Sequence, residues 1–155
     1  MKMKRLYLFA LEVVPLELGK TYDDLPSHLT LMSRFSSELP PEELAVVVHP
    51  LLSATPPVHL AFGETIALGP KRVTAHMVSS PDEVKLHEAL RKVLDSAKVE
   101  FQYPEFVGDN HKAHVTQRTG VQFDPGSEHV ARAAYLVEVV DKKRMIRTKF
   151  TLNGT

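Results

Sequence analysis

Apolar positions run almost unbroken from Leu6 to Val14, a pattern that predicts a first strand buried on both faces and closed by Pro15. A polar segment with Gly19 and Asp23-Asp24 leads to Pro26, and Ser27 to Phe35 then alternates as a second strand should. Pro40-Pro41-Glu42-Glu43 is a helix start, with proline tolerated in the first turn and acids complementing the dipole. Leu44, Val47, Val48, Leu51 and Leu52 recur at helical spacing, and Thr55-Pro56-Pro57 ends the helix. Val58 to Leu68 and Arg72 to Ser79 read as strands on either side of Gly69-Pro70. Ser80-Pro81-Asp82-Glu83 has the capping-box pattern, and the helix it opens carries Leu86, Leu90, Val93, Leu94 and Ala97 on one side and ends near Lys98. An aromatic-bearing loop with Phe101, Tyr103, Pro104, Phe106 and Gly108 follows. Ala113 to Arg118 reads as a short strand, and Val130 to Val140 with Met145 to Leu152 as a hairpin across Asp141-Lys142-Lys143-Arg144.

Two helices, over 41–54 and 81–98, alternate with about seven strands, most of them antiparallel. The expected fold class is α+β. No linker or low-complexity stretch splits the chain, so 1–155 is expected to be a single domain, built of two lobes.

Composition narrows the function classes. The 155 residues carry 19 Lys and Arg against 19 Asp and Glu. That balance argues against coating long nucleic acid, which needs a strongly basic face. A small phosphate ligand, or the end of an RNA, needs only a few local positive charges. The absence of cysteine removes disulfides, thiolate metal sites and cysteine nucleophiles, and fits a reducing interior. Met1-Lys2-Met3-Lys4-Arg5 before the apolar run has the outline of a signal peptide, but Glu12 interrupts the run and no small-residue cleavage site follows Pro15. No apolar stretch approaches the roughly 18 residues of a membrane span. A soluble, cytoplasmic protein without a membrane partner is the expectation, and nothing in the sequence implies a stable protein partner.

Two motifs carry candidate chemistry. His28-Leu29-Thr30-Leu31 and His114-Val115-Thr116-Gln117 lie 86 positions apart, each in a segment that reads as a strand for independent reasons. Residues two apart on a strand share a face. His28 therefore projects beside Thr30, and His114 beside Thr116, while Leu29 and Val115 turn to the core. Two strands each presenting an imidazole beside a hydroxyl can line one cleft from opposite walls. That is what phosphodiester cleavage without metal asks for: a neutral histidine takes a proton from water or a ribose hydroxyl, and a protonated one gives a proton to the departing oxygen. Threonine hydroxyls donate to the non-bridging oxygens, where charge builds up. A single H-x-T arises readily by chance in a chain with eight histidines; the pair on two strands is the informative feature.

With these residues in view, the chain resembles the 2H phosphoesterase superfamily, named for its two H-x-T/S motifs. Pro26-Ser27-His28-Leu29-Thr30-Leu31-Met32 resembles the first motif in detail. Arg5-Leu6-Tyr7-Leu8-Phe9-Ala10 resembles the opening strand of bacterial 2′-5′ RNA ligase-like proteins, also described as RNA 2′,3′-cyclic phosphodiesterases. The resemblance covers nearly the whole chain. It implies two mostly antiparallel sheets with pseudo-two-fold symmetry about a central cleft, helices packed outside, and one motif from each lobe. It also implies that His28 and His114 are the acid/base pair, that Thr30 and Thr116 hold the phosphate, and that no metal or other cofactor is needed. Gln117, where the family has a hydrophobic residue, and the short segment between the first strand and His28 depart from the family pattern.

Arg118 is expected on the face of His114 and Thr116 as a phosphate-binding residue, with Lys112 and Tyr103 as further substrate-binding candidates. Tyr103 and Phe106 either stack on a base or cap the core. Arg34 follows the alternation of His28, Thr30 and Met32 and is expected at the surface. Histidines 49, 59, 76, 87, 111 and 129 form no H-x-x-x-H spacing with a nearby acid, so no zinc site is expected. No glycine-rich phosphate loop supports ATP-dependent ligation. The expected function is a metal-independent phosphodiesterase acting on 2′,3′-cyclic phosphate RNA ends or 2′-5′ linkages. Two alternatives stand beside it: a phosphodiesterase of small cyclic nucleotide signals, and a module that binds RNA ends or nucleotides without turnover. The partner is an RNA terminus or a small phosphorylated nucleotide in each case.

Overall fold

The computed structural model describes residues 3–118 and 123–154; the first two residues of the basic N-terminal stretch lie outside it. Its elements in chain order are β1 (Arg5–Glu12), β2 (Thr21–Tyr22), β3 (His28–Ser37), α1 (Pro41–Ser53), β4 (Val58–Leu68), β5 (Val73–Ser79), α2 (Pro81–Ser96), β6 (Glu100–Phe101), β7 (His114–Thr116), β8 (Glu128–Ala131), β9 (Ala133–Val140) and β10 (Lys143–Thr151). The unbroken apolar run of β1 is buried on both faces, as expected. Tyr7, Phe9 and Leu11 enter the main core, while Leu8 and Ala10 join a smaller cluster with Leu16, Leu25, Tyr135, Val137 and Ile146.

The strands lie in the order β2-β10-β9-β1-β3-β7-β5-β4-β8, with β6 added to β3. Every pairing is antiparallel. The link between β3 and β7 is a single registered pair, Leu29 with Val115. The strands thus form one ten-stranded sheet, and the two expected lobes are its halves, joined at this seam. Outward from it run β3, β1, β9 and β10 on one side and β7, β5, β4 and β8 on the other. Because the seam strands are antiparallel, a local two-fold axis passes between Leu29 and Val115.

Both helices cover one face. α1 packs on β9, β10 and α2, and α2 packs on β3 and β4. Leu44, Val48 and Leu52 of α1 and Leu86, Leu90 and Leu94 of α2 lock that face into the main core. Each such side chain contributes roughly 1.5–3 kcal/mol when fully buried. The opposite face of the seam is left to polar side chains.

Several boundaries differ from expectation. The stretch 130–140 is not one strand: it breaks at Arg132, so that β8 pairs with β4 in one lobe and β9 with β1 and β10 in the other. The two-residue strands β2 and β6 have too few positions to show a period. β7 ends at Thr116, so Gln117 is exposed outside the strand instead of facing the core; its N–H donates to the Thr74 carbonyl at 2.9 Å. In β3 the register against β1 shifts twice between Phe35 and Thr30, and Leu31 and Met32 are both fully buried. Alternation therefore fails there: Met32 faces the core rather than the side shared by His28 and Thr30.

Candidate active site

The seam register fixes the arrangement of the two motifs. With Leu29 opposite Val115, His28 lies opposite Thr116 and Thr30 opposite His114. Directly opposed residues share a face, so the four side chains form a square on the face away from the helices. The histidines occupy one diagonal and the threonines the other. Such diagonal positions are roughly 7–8 Å apart. A tetrahedral phosphate fits that gap, since each flanking hydrogen bond takes about 2.7–3.2 Å. The motif strands are neighbours in the sheet, not opposed walls of a cleft.

The strands flanking the square keep its threonine corners open. Ala10 is registered beside Thr30 and Ala75 beside Thr116, and neither carries an atom beyond Cβ to fill the space next to the hydroxyl. Glu12 is registered beside His28 and Met77 beside His114.

Each imidazole is oriented in the same way. His28 Nδ1–H donates to the Pro26 carbonyl at 2.9 Å, and His114 Nδ1–H to the Lys112 carbonyl at 2.9 Å. A carbonyl only accepts, so the proton is held on Nδ1 and the Nε2 lone pair is left for the site. Thr30 Oγ1 lies 3.3 Å from His28 Nε2. Burial drives the pKa of His28 down to about 4, opposed by the Pro26 hydrogen bond; Arg118, the His114 imidazole and Arg144 lower it further.

Two pockets open beside the square and share Thr30 and Ser33. One, of about 250 Å³, is lined by His28 together with Asp24, Arg34, Tyr103, Arg118 and Arg144. The other, of about 450 Å³, is lined by His114, Ile66, Leu68, Met77, Phe106 and Lys112, among others. The structure thus brings Arg118 and Tyr103 to the His28 side and Lys112 to the His114 side. Arg118 does not share a strand face with His114: it lies beyond the end of β7, and its Nε donates to the Leu25 carbonyl at 3.2 Å. Tyr103 and Phe106 are exposed at 38% and 56%, so neither is a core cap.

Arg34 lines the site instead of lying idle at the surface, on the side its alternation with His28 and Thr30 gives it, and Ser33, within the β3 irregularity, joins it there. Arg144 carried no signal in the pattern, because only the pairing of β10 with β2 brings it near His28. A further cluster behind the second motif was invisible locally. Glu83 is fully buried, and its Oε2 pairs with His111 Nε2 at 2.6 Å. His111 stacks on His87 at 3.8 Å between ring centroids. His87 Nδ1–H donates to the Leu31 carbonyl at 2.7 Å, and its Nε2 accepts from Gly108 N–H at 3.0 Å. Burial holds its pKa below the usual imidazole range. Only half of the expected capping box forms: Ser80 Oγ accepts from Glu83 N–H at 3.1 Å, while the Glu83 carboxylate turns to His111. Among the described residues no three His, Asp or Glu side chains are grouped to hold a metal ion, and no helix is long and apolar enough to cross a membrane.

A family model described as the 2′-5′ RNA ligase superfamily matches residues 8–151. No curated protein matches the sequence. Among solved structures, the crystal structure of TT0787 of Thermus thermophilus is similar with a TM-score of 0.62 at 20% identity, covering 96% of this chain and 98% of that one. Escherichia coli LigT complexed with NADP+ has a TM-score of 0.60 at 16% identity and 99% coverage of both chains. LigT complexed with 3′-AMP gives 0.56 at 14% identity, over 97% and 99%. At these identities the likeness is one of fold.

Proposed function

The chain belongs to the 2′-5′ RNA ligase superfamily, and we propose that it is a phosphodiesterase acting on 2′,3′-cyclic phosphate ends or 2′-5′ linkages through His28 and His114. Membership itself supports a phosphodiesterase-type activity. The observation that carries the finer reading is the seam register, which sets two imidazoles and two hydroxyls in one square on one face.

In the proposed reaction the phosphate lies over the square, with Thr30 and Thr116 donating to its non-bridging oxygens. His28, held neutral by burial and nearby cations, takes a proton from the attacking water as the new P–O bond forms. His114 gives a proton to the ribose oxygen as its bond to phosphorus breaks, so opening a 2′,3′-cyclic phosphate leaves a phosphomonoester and a free hydroxyl. The negative charge of the bound phosphate raises the basicity of His28 when it is needed. Two histidines supply both proton transfers, so the reaction needs no metal. Arg118, Lys112 and Tyr103 would contact the rest of the substrate. That solved LigT structures hold 3′-AMP and NADP+ is in keeping with a nucleotide ligand.

Degradation of a small nucleotide signal is the second reading, favoured by the zero net charge and by the modest size, about 250 and 450 Å³, of the pockets that flank the square. The test is turnover in EDTA of an oligoribonucleotide ending in a 2′,3′-cyclic phosphate, a 2′-5′-linked dinucleotide and a cyclic dinucleotide. Turnover of one of the first two, lost in both His28→Ala and His114→Ala, supports the leading reading. Turnover of the cyclic dinucleotide alone favours the second, and wild-type rates in either variant overturn the two-histidine scheme.

A further inference from the structure

Arg34, Arg118 and Arg144 converge on the pocket beside His28 from three separate parts of the chain: the irregular end of β3, the segment after β7, and β10. Among the described lining residues Asp24 is the one carboxylate, so these residues give the pocket two net positive charges. The chain as a whole is neutral, and among the described residues three of the five other arginines pair with acids, Arg72 and Arg132 being the exceptions. Arg5 and Arg147 flank Glu138, and Arg91 bridges Glu88 and Asp95. Among the described residues none of the three pocket arginines makes an ion pair. Backbone carbonyls hold two of them: Arg118 Nε donates to Leu25, and an Arg144 guanidinium NH2 group donates to Asp23 at 2.9 Å and to Lys142 at 2.8 Å. A carbonyl positions a guanidinium without cancelling its charge. Ser33 Oγ, buried and without a partner among the described residues, lines the same pocket.

We propose that this pocket is a subsite for a second phosphate, a phosphomonoester on the nucleotide that carries the scissile diester. The scissile group belongs over the square, whereas the pocket reaches His28 and Thr30 but neither His114 nor Thr116. A phosphomonoester carries about −1.5 to −2 at neutral pH, which matches the pocket's net charge; a second diester would supply only one. Guanidinium forks suit phosphate oxygens through paired N–H bonds. The pocket on the other side offers no rival site, since Glu105 accompanies Lys112 there among Ile66, Leu68, Met77 and Phe106. Filling the arginine pocket also offsets the cations that depress His28, so the second phosphate readies the proposed base.

The inference rests on the reading of the square as a nucleotide phosphate site, and binding separates the two claims. Wild-type protein is titrated calorimetrically with adenosine 3′-monophosphate and with adenosine 3′,5′-bisphosphate. The bisphosphate is expected to bind at least about ten-fold more tightly, a difference of about 1.4 kcal/mol. Arg34→Gln and Arg144→Gln should each reduce that ratio to below about three-fold. Equal affinity for the two ligands, or a preference that survives both substitutions, overturns the subsite and leaves the square intact. If neither nucleotide binds, the reading of the square falls with it.

Discussion

His28 heads a ten-residue strand, whereas His114 heads one of three residues. Both rings donate through Nδ1 to the carbonyl two residues upstream, and both face a threonine across the seam. Their surroundings diverge from there. Around His28 lie Arg118 and Arg144, and its chain neighbours Ser27 and Leu25 are buried. Around His114 lie Met77 and an exposed Lys112, and the loop leading to it is fastened by the Glu83–His111 pair and the stacked His87. A two-fold motif in an asymmetric setting yields two imidazoles of one geometry in unlike surroundings, with burial and nearby cations depressing the pKa of His28. That is what a reaction needing one base and one acid requires.

The sharpest way to break this division of labour is to change the leaving group. A nucleoside p-nitrophenyl phosphate expels an anion that needs no proton. Measured kcat/KM for this substrate should fall by about 10²–10⁴ in His28→Ala and far less in His114→Ala. On a 2′,3′-cyclic phosphate both variants should suffer the larger loss. The opposite pattern would exchange the two roles.

The threonines test whether the symmetric part of the square matters equally on both sides. Thr30→Val and Thr116→Val should each lower kcat by about 10²–10³ with little change in KM, the usual cost of losing one donor to transition-state charge. A loss confined to KM would make them ground-state contacts only.

The Glu83–His111 anchor lies behind His114 alone of the two motifs, which makes it a stability probe of that side. His111→Ala leaves the buried Glu83 carboxylate without its partner, at a cost of about 1–3 kcal/mol. A lowered denaturation midpoint in urea would show it. Glu83→Gln, which retains a hydrogen-bonding group, should lose less, and an unchanged midpoint in both variants would remove the anchor from the account.

The smallest effect concerns pH and stability. The folded pKa of His28 is about 4, below the ordinary value of 6.5. As pH falls from 6.5 towards 4, the unfolded chain takes up a proton that the folded chain refuses, so stability declines through that window and levels off below it. For a partly exposed group the contribution is about 1–2 kcal/mol after solvent screening. His87, displaced in the same direction, adds to the slope. His28→Gln should therefore flatten, without abolishing, the pH dependence of the denaturation midpoint; an unchanged slope would place the His28 pKa near its ordinary value.

Much of the molecule is legible from local pattern. The double-sided burial of β1, both helices and the shared faces within each H-x-T motif follow from period and capping alone. What lies beyond local pattern is pairing. The alternation that places His28 with Thr30 carries on to Arg34, but the register shifts against β1 bury Met32 and bring Ser33 to the site. The run across 130–140 is apolar but for Arg132 and Glu138, and a single charged position does not announce that the chain exchanges strand partners at Arg132. Glu83 announces a helix cap, and nothing near it in sequence announces His111, 28 positions later. Arg144 reaches the His28 pocket only through a pairing across the whole chain.

The central claim is that His28 and His114 act as one unit on one phosphate, and a double-mutant cycle tests it most directly. Single-turnover rates on a 2′,3′-cyclic phosphate end are measured in EDTA for wild type, His28→Ala, His114→Ala and the double variant. Groups that act together are strongly non-additive, so the double variant should be about as slow as the slower single one. Losses that multiply, or a single variant that keeps the wild-type rate, would contradict the account.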